Sequence, residues 1–240
     1  KNGDEINVDC GGGACPGCAD GQGCAEGARD CASGHCSAKT QTCIFSPALD
    51  NVDGNCEVVL TSADTDPDGI GLTHVLWIDS KEKLDALKAS VAHCADGWRL
   101  KGGGLWLNEA NDVADLEALS GLVGIDGKAS DGYSLDIVST ADLESLAGLR
   151  NLKGTLPGAL YVQTNAKLKS IAGLEGVTRI EGKNGDGRSL TIKDNHALCL
   201  SAADRARLTS CNKTTYWARP DGRRNYGCSA ATCDGGGCDG

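Results

Sequence analysis

Five short aliphatic runs recur along the chain: Val75-Leu-Trp-Ile78, Gly104-Leu-Trp-Leu107, Ser134-Leu-Asp-Ile137, Ala159-Leu-Tyr-Val162 and Ser189-Leu-Thr-Ile192. In each, apolar residues stand at alternate positions, which is how a β-strand turns one face to a core and the other away from it. Leu76 with Ile78, Leu105 with Leu107, Leu135 with Ile137, Leu160 with Val162 and Leu190 with Ile192 form the predicted inward set. The leading leucines, Leu76, Leu105, Leu135, Leu160 and Leu190, are spaced by 29, 30, 25 and 30 residues. The register persists downstream. Eight residues after each leading leucine stand Leu84, Val113, Leu143, Leu168 and Leu198; eleven after stand Leu87, Leu116, Leu146 and Ile171, with Ser201 in the fifth unit. In the three middle units the series continues fourteen residues on with Leu119, Leu149 and Leu174, and seventeen on with Leu122, Leu152 and Val177. A unit of one strand and a turn-rich return is too small to bury its own apolar side, so such units stack and share one core. The prediction is a mainly β fold: a short, five-coil, leucine-rich β-solenoid whose outward column reads Trp77, Trp106, Asp136, Tyr161 and Thr191.

The pattern does not extend to the start of the chain. From Lys1 to Cys43 the only aliphatic residues other than Ala are Ile6 and Val8, while Cys10, Cys15, Cys18, Cys24, Cys31, Cys36 and Cys43 recur every three to seven residues. A segment with so little to bury depends on covalent staples, each stabilising by roughly 2–4 kcal/mol. Fourteen cysteines in 240 residues, seven of them by residue 43, read as a disulfide framework formed in an oxidising, extracellular compartment. Three regions follow: a disulfide module over 1–55, the solenoid over 56–211, and a Cys- and Gly-rich linker over 212–240. Cys56 with Cys94, and Cys199 with Cys211, stand at the first and last coils, where disulfides would cap the stack.

Charge removes some partners. Lys plus Arg number 23 against 33 Asp plus Glu, a net charge of −10 without any basic run, which disfavours nucleic acid and anionic membranes. The longest apolar stretches, residues 57–61 and 75–78, are far too short to cross a bilayer. With no signal peptide and no initiator Met, the expectation is a mature or excised piece of a secreted protein.

Two resemblances refine this outline. The cadence Asp142-Leu-Glu-Ser-Leu-Ala-Gly-Leu-Arg-Asn-Leu152, followed by Ala159-Leu-Tyr-Val-Gln-Thr-Asn-Ala-Lys-Leu-Lys-Ser-Ile-Ala-Gly-Leu174, resembles the leucine-rich, β-helical receptor L-domain class, with similar coils in fungal wall and protist surface proteins. The regular repeat asparagine is present as Asn108 but replaced by Val138, Gln163 and Lys193, so an irregular β-solenoid is expected rather than a horseshoe with an asparagine ladder. The head of the chain, with Asn2-Gly-Asp-Glu, Cys15-Pro-Gly-Cys18 and Asp30-Cys-Ala-Ser-Gly-His-Cys36, resembles a cysteine-rich repeat of bacterial and protist extracellular proteins, often tandem. In that pattern an eighth cysteine followed by Asp and Gly precedes the Asn-Gly. Cys238-Asp239-Gly240 read into Lys1-Asn2-Gly3 reconstitutes the junction, so the resemblance implies a tandem array or a head-to-tail chain in which Cys238 completes the next module. Cys228 then pairs with Cys233. The alternative is that head and tail cysteines pair within one chain.

Individual sites each carry two readings. Cys15-Pro-Gly-Cys18 has redox or zinc spacing, but crowding by other cysteines favours structural disulfides. Asp64, Asp66 and Asp68, followed by Gly69, open like a calcium loop, although Val75 stands where its closing Glu belongs and the same residues make an ordinary turn. Calcium is the only cofactor this suggests. Asn212-Lys213-Thr214 is a glycosylation sequon. Trp77, Trp106 and Tyr161 form an aromatic row that can bind sugar rings, form a dry subunit contact, or be covered by flanking segments. The four histidines, His35, His74, His93 and His196, are scattered, no Gly-x-Ser-x-Gly elbow is present, and Gly102-Gly103-Gly104 leads into a strand rather than a phosphate-cradling helix.

The expectation is a non-enzymatic extracellular structural protein, a repeat or subunit of a head-to-tail surface filament or appendage of the kind exemplified by protist flagellar hairs (mastigonemes). Its partners would be copies of itself. The alternative is a secreted adhesion or receptor-like module that binds glycan or protein through the outward strand face; a glycan-cleaving β-helical enzyme is a third option.

Overall fold

The computed structural model describes residues 10–12, 15–25, 27–33, 35–37, 41–52, 54–65, 70–210 and 215–218. Aliphatic and aromatic residues at alternate positions suit a pleated, half-buried surface, and the five runs lie in strands, apart from Ser189 at the head of the fifth. In chain order the strands are β1 (Glu57–Val59), β2 (Val75–Ile78), β3 (Trp98–Lys101), β4 (Gly104–Asn108), β5 (Leu122–Asp126), β6 (Tyr133–Val138), β7 (Gly154–Leu156), β8 (Ala159–Gln163), β9 (Val177–Ile180), β10 (Leu190–Lys193) and β11 (Thr215–Ala218). Helices are few: α1 (Gly27–Asp30), α2 (Lys81–Ser90) and α3 (Ala202–Ser210), with single 3₁₀ turns at Pro47–Asn51, Glu117–Leu119 and Ala147–Leu149.

Among the described residues these strands pair in parallel, in a six-stranded sheet of order β11-β10-β8-β6-β4-β2, a three-stranded sheet β1-β3-β5 and a pair β7-β9. Leu76, Leu105, Leu135, Leu160 and Leu190 lie opposite one another in successive ladders of the large sheet. A sixth strand, β11, continues it, with Thr215 opposite Leu190. This unit goes beyond the five expected because its strand, Thr215-Tyr-Trp-Ala218, lacks the leading leucine that aligns the others.

The space between the large sheet and the smaller ones is filled by the aliphatic series. Its members eight, eleven, fourteen and seventeen residues past the leading leucines are all buried in one cluster, Ser201 apart. Ile44, Ala48, Leu49 and Val52 join the same cluster, as does Trp98, the largest fully buried side chain. In the first unit the return is α2. Ser80 caps it by accepting from Lys83 N at 3.4 Å, and its Leu84 and Leu87 reach the core.

Each strand β4, β6, β8 and β10 is followed by a residue of left-handed backbone: Glu109 (φ 55°), Ser139 (55°), Thr164 (56°) and Asp194 (56°). The residue that follows turns inward, and here the structure corrects one expectation. A short asparagine ladder does exist, two positions later than Val138, Gln163 and Lys193. Buried Asn165 donates from Nδ2 to Ile137 O (3.0 Å) and Asn195 Oδ1 (3.0 Å), and Asn195 donates to Val162 O (3.0 Å). Thr140 N donates to Asn165 Oδ1 at 3.0 Å. The side chains thus stand in for backbone partners that the turn leaves without a ladder.

The N-terminal stretch packs on sulfur. Disulfides join Cys10 to Cys18, Cys24 to Cys36 and Cys31 to Cys43, with Cα separations of 4.9, 5.8 and 5.4 Å. They form a cluster of their own, separate from the aliphatic core. Asp30 supports the module by accepting from Gly12 N (3.1 Å) and Ala25 N (2.7 Å).

Candidate functional site

The outward column of the large sheet is where strand alternation delivers aromatic rings. Trp77 and Trp106 lie opposite each other on β2 and β4, with ring centroids 5.1 Å apart. Asp136 on β6 occupies the next place and Tyr161 on β8 the one after. A fourth ring, Tyr133, bridges the gap that Asp136 leaves. Its centroid lies 6.0 Å from that of Trp106 and 5.3 Å from that of Tyr161. Simple alternation sets Tyr133 on the inward side with Leu135; a register shift between these two residues brings it round to the outer row. The signal for that in the sequence is weak, a tyrosine following the positive-φ Gly132 at the mouth of a strand.

Much of this face is covered by the chain itself. Trp77, at 4% exposure, is packed with Leu72, Val75, Ala129 and Trp106. The turn before β6 is tied down by Ser130 N donating to Thr73 O (3.1 Å), by Thr73 N donating to Ser130 Oγ (3.0 Å), and by Asn184 Nδ2 donating to the Tyr133 hydroxyl (2.8 Å). Trp106, Tyr133 and Tyr161 remain half-exposed, and Thr191 is buried. Of the three uses open to such a row (sugar binding, subunit contact and self-coverage), self-coverage therefore holds at the Trp77 end.

Asp136 is the unusual member. Its side chain is buried and its Oδ1 is fully enclosed without a hydrogen-bond partner; the indole Nε1 of Trp106 is likewise enclosed without a partner. Burial, and then the nearby Asp131, push the Asp136 carboxyl well above the ordinary range. Burial also raises Asp131 and Tyr133, and it drives Tyr161, beside Tyr133 and Asp136, to about 12. The Tyr161 hydroxyl is bonded to Gln163 Oε1. The face therefore favours uncharged groups: aromatic planes, phenol hydroxyls and a carboxylic acid. Such a surface is suited to stacking and neutral hydrogen bonding rather than to gripping ions.

The remaining predicted residues are dispersed. Asp64 is buried, its oxygens accepting from Ser46 Oγ (2.5 Å), Thr61 N (2.8 Å), Thr61 Oγ1 (3.3 Å) and Ala48 N (3.4 Å), while Asp66 and Asp68 lie outside the described residues. Cys18 of the Cys15-Pro-Gly-Cys18 motif is bonded to Cys10. Cys56 is joined to Cys94, Cα atoms 5.6 Å apart, and Cys199 is in a disulfide. Cys211, Asn212, Cys228, Cys233 and Cys238 lie outside the described residues. The clusters Cys24, Cys31, Cys36 and Cys56, His93, Cys94 have metal-like proximity, but their cysteines are in disulfides. No helix among the described residues is long and apolar enough to cross a membrane.

None of the protein-family models, curated proteins or solved structures compared with the chain matches it.

Proposed function

We propose that the chain is a non-enzymatic extracellular structural protein, a repeat or subunit of a surface filament or appendage assembled head to tail. On this reading the stacked units are a short leucine-rich solenoid resembling the L-domain class. The observation that carries the reading is the open parallel sheet, which among the described residues runs from β2 to β11. Its two ends are unlike, and a contact between unlike ends that does not close on itself propagates as an open filament. The disulfide module adds a covalently locked element suited to oxidising surroundings. Mapping disulfides of native material by non-reducing digestion and mass spectrometry tests the reading. The expected product links Cys238 to a module cysteine across a junction between units. If Cys238 is paired only within one isolated 240-residue chain, the assembly reading falls.

The second reading, an adhesion or receptor-like module, is favoured by the half-exposed rings of Trp106, Tyr133 and Tyr161 in mutual contact. On that reading Trp106→Ala abolishes binding of the unit to glycans or protein.

A further inference from the structure

The disulfides within the N-terminal module, Cys10–Cys18, Cys24–Cys36 and Cys31–Cys43, pack on one another, with Cys18, Cys24, Cys31 and Cys43 buried. The Cys56–Cys94 disulfide is set differently. Cys56 immediately precedes β1, and Cys94 lies in the turn between α2 and β3, where its N–H donates to Val91 O at 3.0 Å. That turn brings the exposed side chain of His93 against the bond: a ring nitrogen of His93 and the sulfurs of Cys56 and Cys94 all lie within 4.8 Å of one another, and Cys56 is the more open of the two cysteines. Sequence neighbourhood alone does not produce this. His35 precedes Cys36 just as His93 precedes Cys94, yet its ring does not join the sulfurs of Cys24, Cys31 and Cys36 in such a group.

Two physical consequences follow for this bond. In thiol–disulfide exchange the departing sulfur leaves as a thiolate, and it leaves faster when a neighbouring cation such as a protonated imidazole stabilises that charge. Cys56 also holds a left-handed backbone (φ 57°), which a non-glycine residue keeps only while its surroundings constrain it. Opening the bond lifts one of those constraints. We propose that Cys56–Cys94 is an exchange site at which a small aliphatic thiol is taken up as a mixed disulfide on Cys56. The thiolate attacks Cys56 Sγ, the Sγ–Sγ bond breaks, and its electron pair departs on Cys94 Sγ beside the imidazolium of His93, which then supplies the proton. One S–S bond forms as one breaks, so the thiol is the only co-reactant; attack of the Cys94 thiolate back on Cys56 Sγ expels it and closes the bond again. β1 keeps its ladder to β3 throughout, so the exchange unpins β1 from the turn after α2 without removing it from its sheet. The site does not depend on the assembly reading; either can fail while the other stands.

The test is incubation of the full, disulfide-intact chain with reduced glutathione at neutral pH, quenching with iodoacetamide at successive times and mapping of the peptides by mass spectrometry. The glutathione adduct is expected first on Cys56 and the iodoacetamide label on Cys94, with the three module disulfides still closed. His93→Gln should slow the opening by about tenfold, the effect of a less stabilised leaving thiolate, and His35→Gln should leave it unchanged. Circular dichroism of both variants separates altered exchange from altered folding. Three outcomes overturn the proposal: a module disulfide opens as fast as Cys56–Cys94; the adduct forms first on Cys94, which reverses the roles of the two sulfurs; or folded His93→Gln exchanges at the parent rate, which leaves the imidazole without a part in the reaction.

Discussion

Asp136 is the residue at which the outer face departs most from ordinary protein chemistry. A carboxyl without a hydrogen bond, 4% exposed between two aromatic neighbours, is stable only as the neutral acid. Its folded pKa is raised above the unfolded value of 3.8, so between those two values the folded state holds more protons than the unfolded one. Stability is then greatest at the acidic side of that window, falls as pH rises through it, and levels off above the folded pKa. Asp20 and Asp131 are raised too and contribute with the same sign. Asp136→Asn removes the largest source of this slope. Urea midpoints should show the variant more stable than the parent by about 1–3 kcal/mol at pH 8, where ionisation of this carboxyl favours the unfolded parent over the folded one, and nearly equal to it at about pH 4. An unchanged slope would mean that Asp136 is solvated in solution.

At the scale of elements, close stacking is set by small residues as much as by leucines. The Ala-Gly-Leu sequence of residues 147–149 recurs at 172–174. A Cβ on Gly148 would stand 1.9 Å from Leu116 O, and one on Gly173 would stand 2.0 Å from Leu146 O. Each glycine lets one unit approach the backbone of the unit before it, so Gly148→Ala must push two units apart or distort one. A loss of about 2–4 kcal/mol in chemical denaturation is expected, against a change within about 0.5 kcal/mol for Gly185→Ala, where nothing lies within 4 Å. This level is also the most legible in the sequence. Leucine spacing reports burial directly, which is why the five leading leucines align in the sequence just as they pair across the sheet. What the spacing does not reveal is set by backbone geometry rather than by hydrophobicity. The repeat pattern places asparagines at the strand end, but the left-handed residues Ser139, Thr164 and Asp194 delay the inward turn to Thr140, Asn165 and Asn195. Tyr133 escapes the alternation because a register shift breaks the two-residue period on which it depends. A cavity between the module and the first units joins Asp20 and Ser33 to Trp77 and Lys83 across a change of composition, where no periodicity runs.

For the molecule as a whole, the consequence of stacking is that each strand of the large sheet is hydrogen-bonded to its immediate neighbours in that sheet, as β4 is to β2 and β6. Stability in such an array is a sum of unit terms and interface terms, and its ends, with one neighbour each, open first unless they are pinned. At the N-terminal end the pin is the disulfide between Cys56, beside β1, and Cys94, between α2 and β3, which are 38 residues apart in sequence. For a loop of that size the chain-entropy account assigns a stabilisation of about 4 kcal/mol. Replacing both cysteines by alanine should therefore lower global stability by about 2–4 kcal/mol, but the larger signature is spatial. Among the described residues β1 pairs with β3 alone, so amides of β1, and then those of β3 once β1 has left it, should lose hydrogen-exchange protection before those of β6 and β8, which keep both neighbours. If protection instead falls by the same factor in all four strands, the units form one cooperative block, and the disulfide acts on the unfolded chain rather than on the end of the stack.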